Sequence, residues 1–154
     1  QSLPVIAPLI RALGFLQMIE EALRIYIGTA EELIEAAVPY GVPFRADAKG
    51  LQNDTMGKLI NKFARLNRNT VLITELEQLT KHRNYIAHAA FRRVIQGASN
   101  GTENLAYMER HAHEVGDESE RLLAVLAQEM RSLLLNYPNL QSSTAWNQAE
   151  QMDK

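Results

Sequence analysis

Apolar residues in this chain recur every three or four positions and almost never every second one. Leu9, Leu13, Leu16, Ile19, Leu23, Ile27, Ile34 and Ala37 trace one such row, which predicts a first helix over about 4–37. Pro39 and Gly41 end it, and Val42–Gly50, which contains Pro43, reads as a loop. Met56, Leu59, Ile60 and Phe63 form a shorter row on a helix over about 54–67, with Asp54 or Thr55 as its cap. Leu72, Leu76, Leu79, Ile86, Ala90 and Val94 line a third helix over about 70–97 that Asn69 or Thr70 can cap. Gly97–Gly101 reads as a turn. Thr102 can then cap a fourth helix over about 102–136, lined by Leu105, Met108, Ala112, Val115, Leu122, Leu126, Met130 and Leu133, with Gly116 as the place for a kink and Pro138 as the stop. These rows predict an all-α, antiparallel bundle of four main helices, one domain over 1–137 with a polar tail over 138–154 in which Trp146 is the exception.

One helix breaks its own pattern. At about 100° per residue, Arg83 falls in the middle of the apolar seam of the third helix. Taking a guanidinium from water costs several kcal/mol unless something compensates it. Either Arg83 is paired, with Glu20, Glu21 or another first-helix carboxylate as the partner, or it is functional. Asn84 and His88 lie on the flank of the same helix, about 100° and 140° round from Arg83, and only the small Ala87 stands between the heads. Phe91 and Ile95 make that flank apolar too, so the C-terminal half of this helix has two faces to bury. Such a helix is either central in its own bundle or shared with a second copy of the chain, and of the two a homodimer is expected.

Composition narrows the chemistry. The chain has 154 residues, 46% of them apolar, and no Cys, so disulfides, thiolate metal sites and Cys nucleophiles are excluded. No apolar run approaches the 18 or so residues of a membrane span, and a cytoplasmic, membrane-free protein is expected. Net charge is −2, but it is unevenly spread. From Arg45 to Arg93 there are ten Lys and Arg against four Asp and Glu, a balance of +6, which leaves −8 for the remainder. Within the basic segment Lys58, Lys62 and Arg65 share an arc opposite the apolar row of the short helix, with Arg68 nearby. That arc is a solvated face or a ridge that tracks phosphates.

Other motifs carry less. Gly97-x-Ser99-x-Gly101 has the nucleophile-elbow spacing but follows a helix where that chemistry needs a strand, so it reads as a turn. His111 and His113 point about 200° apart on a helix and cannot share a metal, and the absence of any Glu-x-x-His removes the di-metal bundle signature. They read as solvated polar residues. No metal and no cofactor are expected.

The run Arg83-Asn84-Tyr85-Ile86-Ala87-His88 resembles the signature of the HEPN superfamily: an Arg, a polar residue, three more residues and a His. Thr55-Met56-Gly57-Lys58-Leu59-Ile60 is similar to a Thr-Leu-Gly-x-Leu-Ile segment that precedes the signature in some bacterial members. The resemblance spans about 5–136, although the specific matches cover only about a dozen residues. In the toxin subgroup paired with nucleotidyltransferase-like antitoxins a Tyr follows two places after the His, where this chain has Ala90.

The resemblance implies a metal-independent endoribonuclease that acts as a dimer, with two signatures facing one another. His88 would take the proton from a ribose 2′-hydroxyl, and the oxyanion would attack the adjacent phosphate to leave a 2′,3′-cyclic phosphate. Arg83 would stabilise the charge on the phosphorane, and Asn84 would orient the imidazole or hold a phosphate oxygen. Lys58, Lys62, Arg65, Lys81, His82, Arg92 and Arg93 would position the RNA backbone, and Tyr85 would stack on a base. It also implies a toxin–antitoxin or phage-defence role, with an antitoxin or a nucleotidyltransferase-like protein as partner. Two other readings stay open. One is a non-catalytic HEPN-like module that binds nucleotide or RNA, or dimerises, with a separate partner protein. The other is an unrelated bundle in which Arg83 is merely paired and His88 is a satisfied interior histidine.

Overall fold

Every regular element in the computed structural model, which describes residues 3–95 and 105–136, is helical. In chain order these are α1 (Leu3–Ala37), α2 (Ala48–Asn53), α3 (Met56–Leu66), α4 (Thr70–Ile95) and α5 (Leu105–Leu135). The Gly97–Gly101 turn, the Thr102 cap and the tail with Trp146 lie outside the described residues.

Helix α1 runs unbroken through Pro8, and its expected row is buried from Leu9 to Ile27 apart from Leu13, which is only partly covered. Beyond Ala30 the row fails: Ile34 and Ala37 are exposed. This end of α1 holds chain by polar contact instead. Glu35 accepts a hydrogen bond from the Ala46 backbone N–H at 3.0 Å, and Glu31 one from that of Asp47 at 3.2 Å.

The loop expected over 42–50 ends early, because α2 begins at Ala48. The Asp47 carboxylate caps it by accepting from Gly50 N–H at 3.0 Å, and its single apolar anchor, Leu51, is buried beside Gly28. One anchor sets no period, which is why the pattern gives no sign of this helix. Helix α3 buries Met56, Leu59, Ile60 and Phe63, as its row predicts, and Thr55 is its cap. Asn69 caps α4, its side-chain oxygen accepting from Leu72 N–H at 3.1 Å.

Gly116 does not kink α5, which is continuous through it. Instead it lets α1 approach: a Cβ built there would stand 3.8 Å from the Ala12 Cα and 2.5 Å from Arg11 Nη1. The expected inner row starts late, since Leu105 is 42% exposed, and slips by one residue at its C-terminal end, where Leu134 is buried and Leu133 only partly.

Contacts fix the directions. Ala12 lies against Gly116, and farther along both helices Tyr26 and Glu129 share the side-chain amide of Asn67. The long pair α1 and α5 therefore runs parallel. Helix α4 runs against α5: Asn69 meets Glu129, Glu75 meets Arg121, and His82 meets His111. Leu72, Leu76, Leu79, Ile86, Ala89 and Ala90 of α4 are buried in the common core. Among the described residues no helix is long and apolar enough to cross a membrane.

Candidate functional site

Arg83 enters the seam of α4 and meets a carboxylate there. Its Nε donates to Glu20 Oε1 at 2.7 Å. Glu20 is 8% exposed, a buried acid on α1, whereas about a third of the Arg83 side chain remains open to solvent. The other carboxylate oxygen of Glu20 faces Arg24 Nη2 at 3.8 Å. Arg24 in turn donates to the backbone oxygens of Leu51 at 3.0 Å and Asp54 at 3.2 Å, and so ties this pair to the α2–α3 junction. A buried carboxylate between two guanidiniums has its charge compensated, which is the condition for keeping it inside.

The geometry at Arg83 is one-sided. Glu20 occupies the Nε edge of the guanidinium, and among the described residues neither terminal nitrogen has a hydrogen-bond partner. Asn84 and His88 are exposed on the adjoining flank, and among the described residues no hydrogen bond, ion pair or ring contact involves either. His88 is thus a solvent-facing imidazole and not an interior one. Phe91, on the same flank, is 54% exposed. The side chain of Ile95 lies outside the described residues.

The remaining expected site residues divide into two groups. On α3, Lys62 is held by Asp54 at 2.5 Å, while Lys58, Arg65 and Arg68 are exposed. The tie from this ridge to the signature is indirect, through Asp54, Arg24 and Glu20. On α4, Lys81, His82 and Arg92 are exposed and Tyr85 and Arg93 are half-buried. His82 and Tyr85 turn towards α5, where both meet the ring of His111, with centroids 4.9 and 5.0 Å away and the rings near edge-on.

That contact corrects the reading of His111 as a solvated side chain. It is half-buried, stacks on Tyr107 at 5.7 Å with the ring planes 6° apart, and is pushed below the ordinary imidazole pKa of 6.5, chiefly by burial and then by His82, with Glu114 opposing. His113 points elsewhere and lies 3.9 Å from Glu109. The separation of the two imidazoles follows from their spacing on the helix. The cluster around His111 does not, because it depends on the register of α4 against α5. Among the described residues no three His, Asp or Glu side chains gather as metal ligands would.

A groove of about 750 Å³ opens elsewhere, between the α3–α4 junction and the end of α5. It holds no signature residue. Glu129 accepts there from Asn67 at 2.9 Å and Asn69 at 2.8 Å, so its polar groups are largely engaged with one another. Comparisons of the chain with protein-family models, with curated proteins and with solved structures give no match.

Proposed function

We propose that the chain is an endoribonuclease of the HEPN type, working without a metal from a homodimer in which two signatures share one cleft. The observation that carries this reading is the one-sided seating of Arg83. About a third of the Arg83 side chain reaches solvent, so part of the guanidinium is accessible to a ligand. Here the buried Glu20 holds the Nε edge, neither terminal nitrogen has a hydrogen-bond partner among the described residues, and Asn84 and His88 are exposed on the adjoining flank. A planar fork presented in that way suits a phosphate that gains charge.

In this mechanism His88 accepts the proton of a ribose 2′-hydroxyl as that oxygen attacks the adjacent phosphorus. Arg83 stabilises the phosphorane through its free edge, and Asn84 orients the imidazole or a phosphate oxygen. The bond from phosphorus to the 5′-oxygen breaks, and the leaving oxygen takes its proton from the imidazolium of the second copy. A 2′,3′-cyclic phosphate and a 5′-hydroxyl remain. The exposed Phe91 flank is where the second copy would sit, completing a bundle shared between chains. The nucleophile belongs to the substrate, so DNA is inert. Lys58, Arg65, Lys81, His82, Arg92 and Arg93 steer the backbone, and Lys62 joins them only by releasing Asp54. Toxin–antitoxin or phage-defence work, restrained by an antitoxin or nucleotidyltransferase-like partner, is the setting this activity fits.

The Glu20 contact also favours a second reading: a non-catalytic module in which Arg83 serves the fold and a separate partner uses the exposed flank. The two part on one experiment. Under the nuclease reading the purified protein cuts single-stranded RNA in excess EDTA, and Arg83→Ala and His88→Ala do not. No cutting by the wild type over varied RNAs, or equal cutting by both variants, moves the assignment to the binding module.

A further inference from the structure

Glu20 stands between two guanidiniums but bonds only one of them. Its Oε1 accepts from Arg83 Nε at 2.7 Å, whereas Oε2 lies 3.8 Å from Arg24 Nη2, within reach of charge and beyond that of a hydrogen bond. Arg24 is held back by backbone. Its Nε donates to the Leu51 carbonyl at 3.0 Å, and the same Nη2 that faces Glu20 donates to the Asp54 carbonyl at 3.2 Å. Both carbonyls belong to the α2–α3 junction, where Asp54 N–H closes on the Leu51 oxygen at 3.3 Å. The junction therefore decides where the Arg24 guanidinium stands.

Little fastens the junction itself. Helix α2 has six residues and buries one side chain, Leu51, against α1 at Gly28. The two bonds from Arg24 and the ion pair of Asp54 with Lys62 add to this hold. An element with one apolar anchor opens at less cost than α1 and α4, which bury whole rows. Once the two carbonyls leave, Arg24 has lost its acceptors, and Glu20 is one turn away on the same helix. Closing 3.8 Å to about 2.9 Å gives a charge-assisted i,i+4 pair inside α1. Glu20 has a single charge to share, and Arg83, about a third of whose side chain already reaches solvent, is the partner that gives way.

We infer that Arg24 and the α2–α3 junction form a switch on the position of Arg83. With α2 docked, the junction keeps Arg24 off Glu20 and Arg83 is held; with α2 lifted, Arg24 takes the carboxylate and Arg83 is released. Arg24 is thus a positioning residue that acts on the signature through Glu20. The inference rests on the nuclease reading only for what the held guanidinium does. In that reading a docked junction is a condition for cutting, so activity is regulated from an element that carries no signature residue.

The test follows the Arg83 Nε–H in the 15N-labelled full chain, its resonance identified by its loss in Arg83→Lys. Held by Glu20, this proton exchanges slowly with water. Leu51→Ala, which removes the anchor of α2, is expected to speed the exchange about tenfold or more, and adding Arg24→Gln to restore the wild-type rate. Arg24→Gln alone should leave the rate near that of the wild type. A merely structural Arg24 predicts the opposite, since two lesions in one contact would loosen Arg83 further. Lys62→Ala, which frees the Asp54 carboxylate, should raise the exchange by a smaller factor, with the same restoration by Arg24→Gln, and gives the reading if Leu51→Ala fails to fold. Exchange unchanged by loosening the junction, or a double variant that exchanges no more slowly than the single one, overturns the switch. Cleavage of single-stranded RNA is scored separately. The expected exchange pattern without any cutting upholds the switch and sinks the nuclease, whereas cutting that Leu51→Ala leaves unchanged overturns the switch as a regulator and leaves the nuclease standing.

Discussion

Of the arginines that tie α1 to its neighbours, Arg11 and Arg83 are each about one-third exposed, yet their partners differ. Arg11 reaches Asp117 at 3.0 Å and Glu120 at 2.7 Å, carboxylates that are 73% and 61% exposed. Arg83 reaches Glu20 at 2.7 Å, whose side chain is only 11% exposed. Geometry alone would rank the two alike. Solvent separates them: water screens the Arg11 contacts, and exposed pairs of this sort contribute about 0–1 kcal/mol. Burial of Glu20 keeps most of that screening away from its contact with Arg83. A buried acid therefore acts as a fixed reference for the guanidinium, while a surface acid does not.

The sharpest way to break this comparison is to change the acids. Glu20→Gln keeps the shape and removes the charge. In the nuclease assay kcat should fall by about 10–100-fold with KM little changed, because the misplaced guanidinium matters in the transition state. Unfolding should lose about 1.5–3 kcal/mol, the usual worth of a hydrogen bond to a charged group. Unchanged kcat would reduce Glu20 to packing. Asp117→Asn and Glu120→Gln together should cost about 1 kcal/mol or less in denaturant melts and leave cleavage alone. A large loss there would erase the distinction drawn between the two arginines.

Between these lies Glu129, half-buried, which accepts from both Asn67 and Asn69. Glu129→Ala takes the acceptor from the Asn69 amide and one of the two acceptors from that of Asn67, and should cost about 1–3 kcal/mol in urea unfolding, with kcat unaffected. The smallest effect is a pH dependence at the α4–α5 contact. His111 is held below 6.5 by burial and by His82, against Glu114, so the folded state favours the neutral ring. Its contribution is complete above about pH 6.5 and is lost as pH falls through the lowered folded value. Glu118, held below 4.5 chiefly by the hydrogen bond from Arg121, acts in the same sense in a lower window. His111→Ala should flatten the stability–pH curve just below pH 6.5 and leave the region below pH 4.5 alone; an unchanged upper slope would refute the role given to His111.

Much of this was legible in the chain. The rows of α1, α3 and α4 locate those helices to within a few residues, since burial imposes the helical period on them. Arg83 stands out for the same reason in reverse, a charge in an apolar seam, and Glu20 is one of the carboxylates its position on α1 makes available. What the pattern could not supply depends on register between helices distant in sequence. Leu51 anchors α2 alone. Gly116 looks like a kink until Ala12 is placed against it. His111 looks solvated until α4 brings His82 and Tyr85 to it. The parallel run of α1 and α5 is of the same kind, because the segment between them is long enough to permit either direction.

The most direct test of the account is a single-stranded RNA incubated in excess EDTA with wild type, Arg83→Ala, His88→Ala and Glu20→Gln, followed by analysis of the new ends. The expected result is 2′,3′-cyclic phosphate ends with the wild type, weak cutting with Glu20→Gln and none with the other two. Wild-type protein that leaves every RNA intact, or equal cutting by Arg83→Ala and His88→Ala, would contradict it.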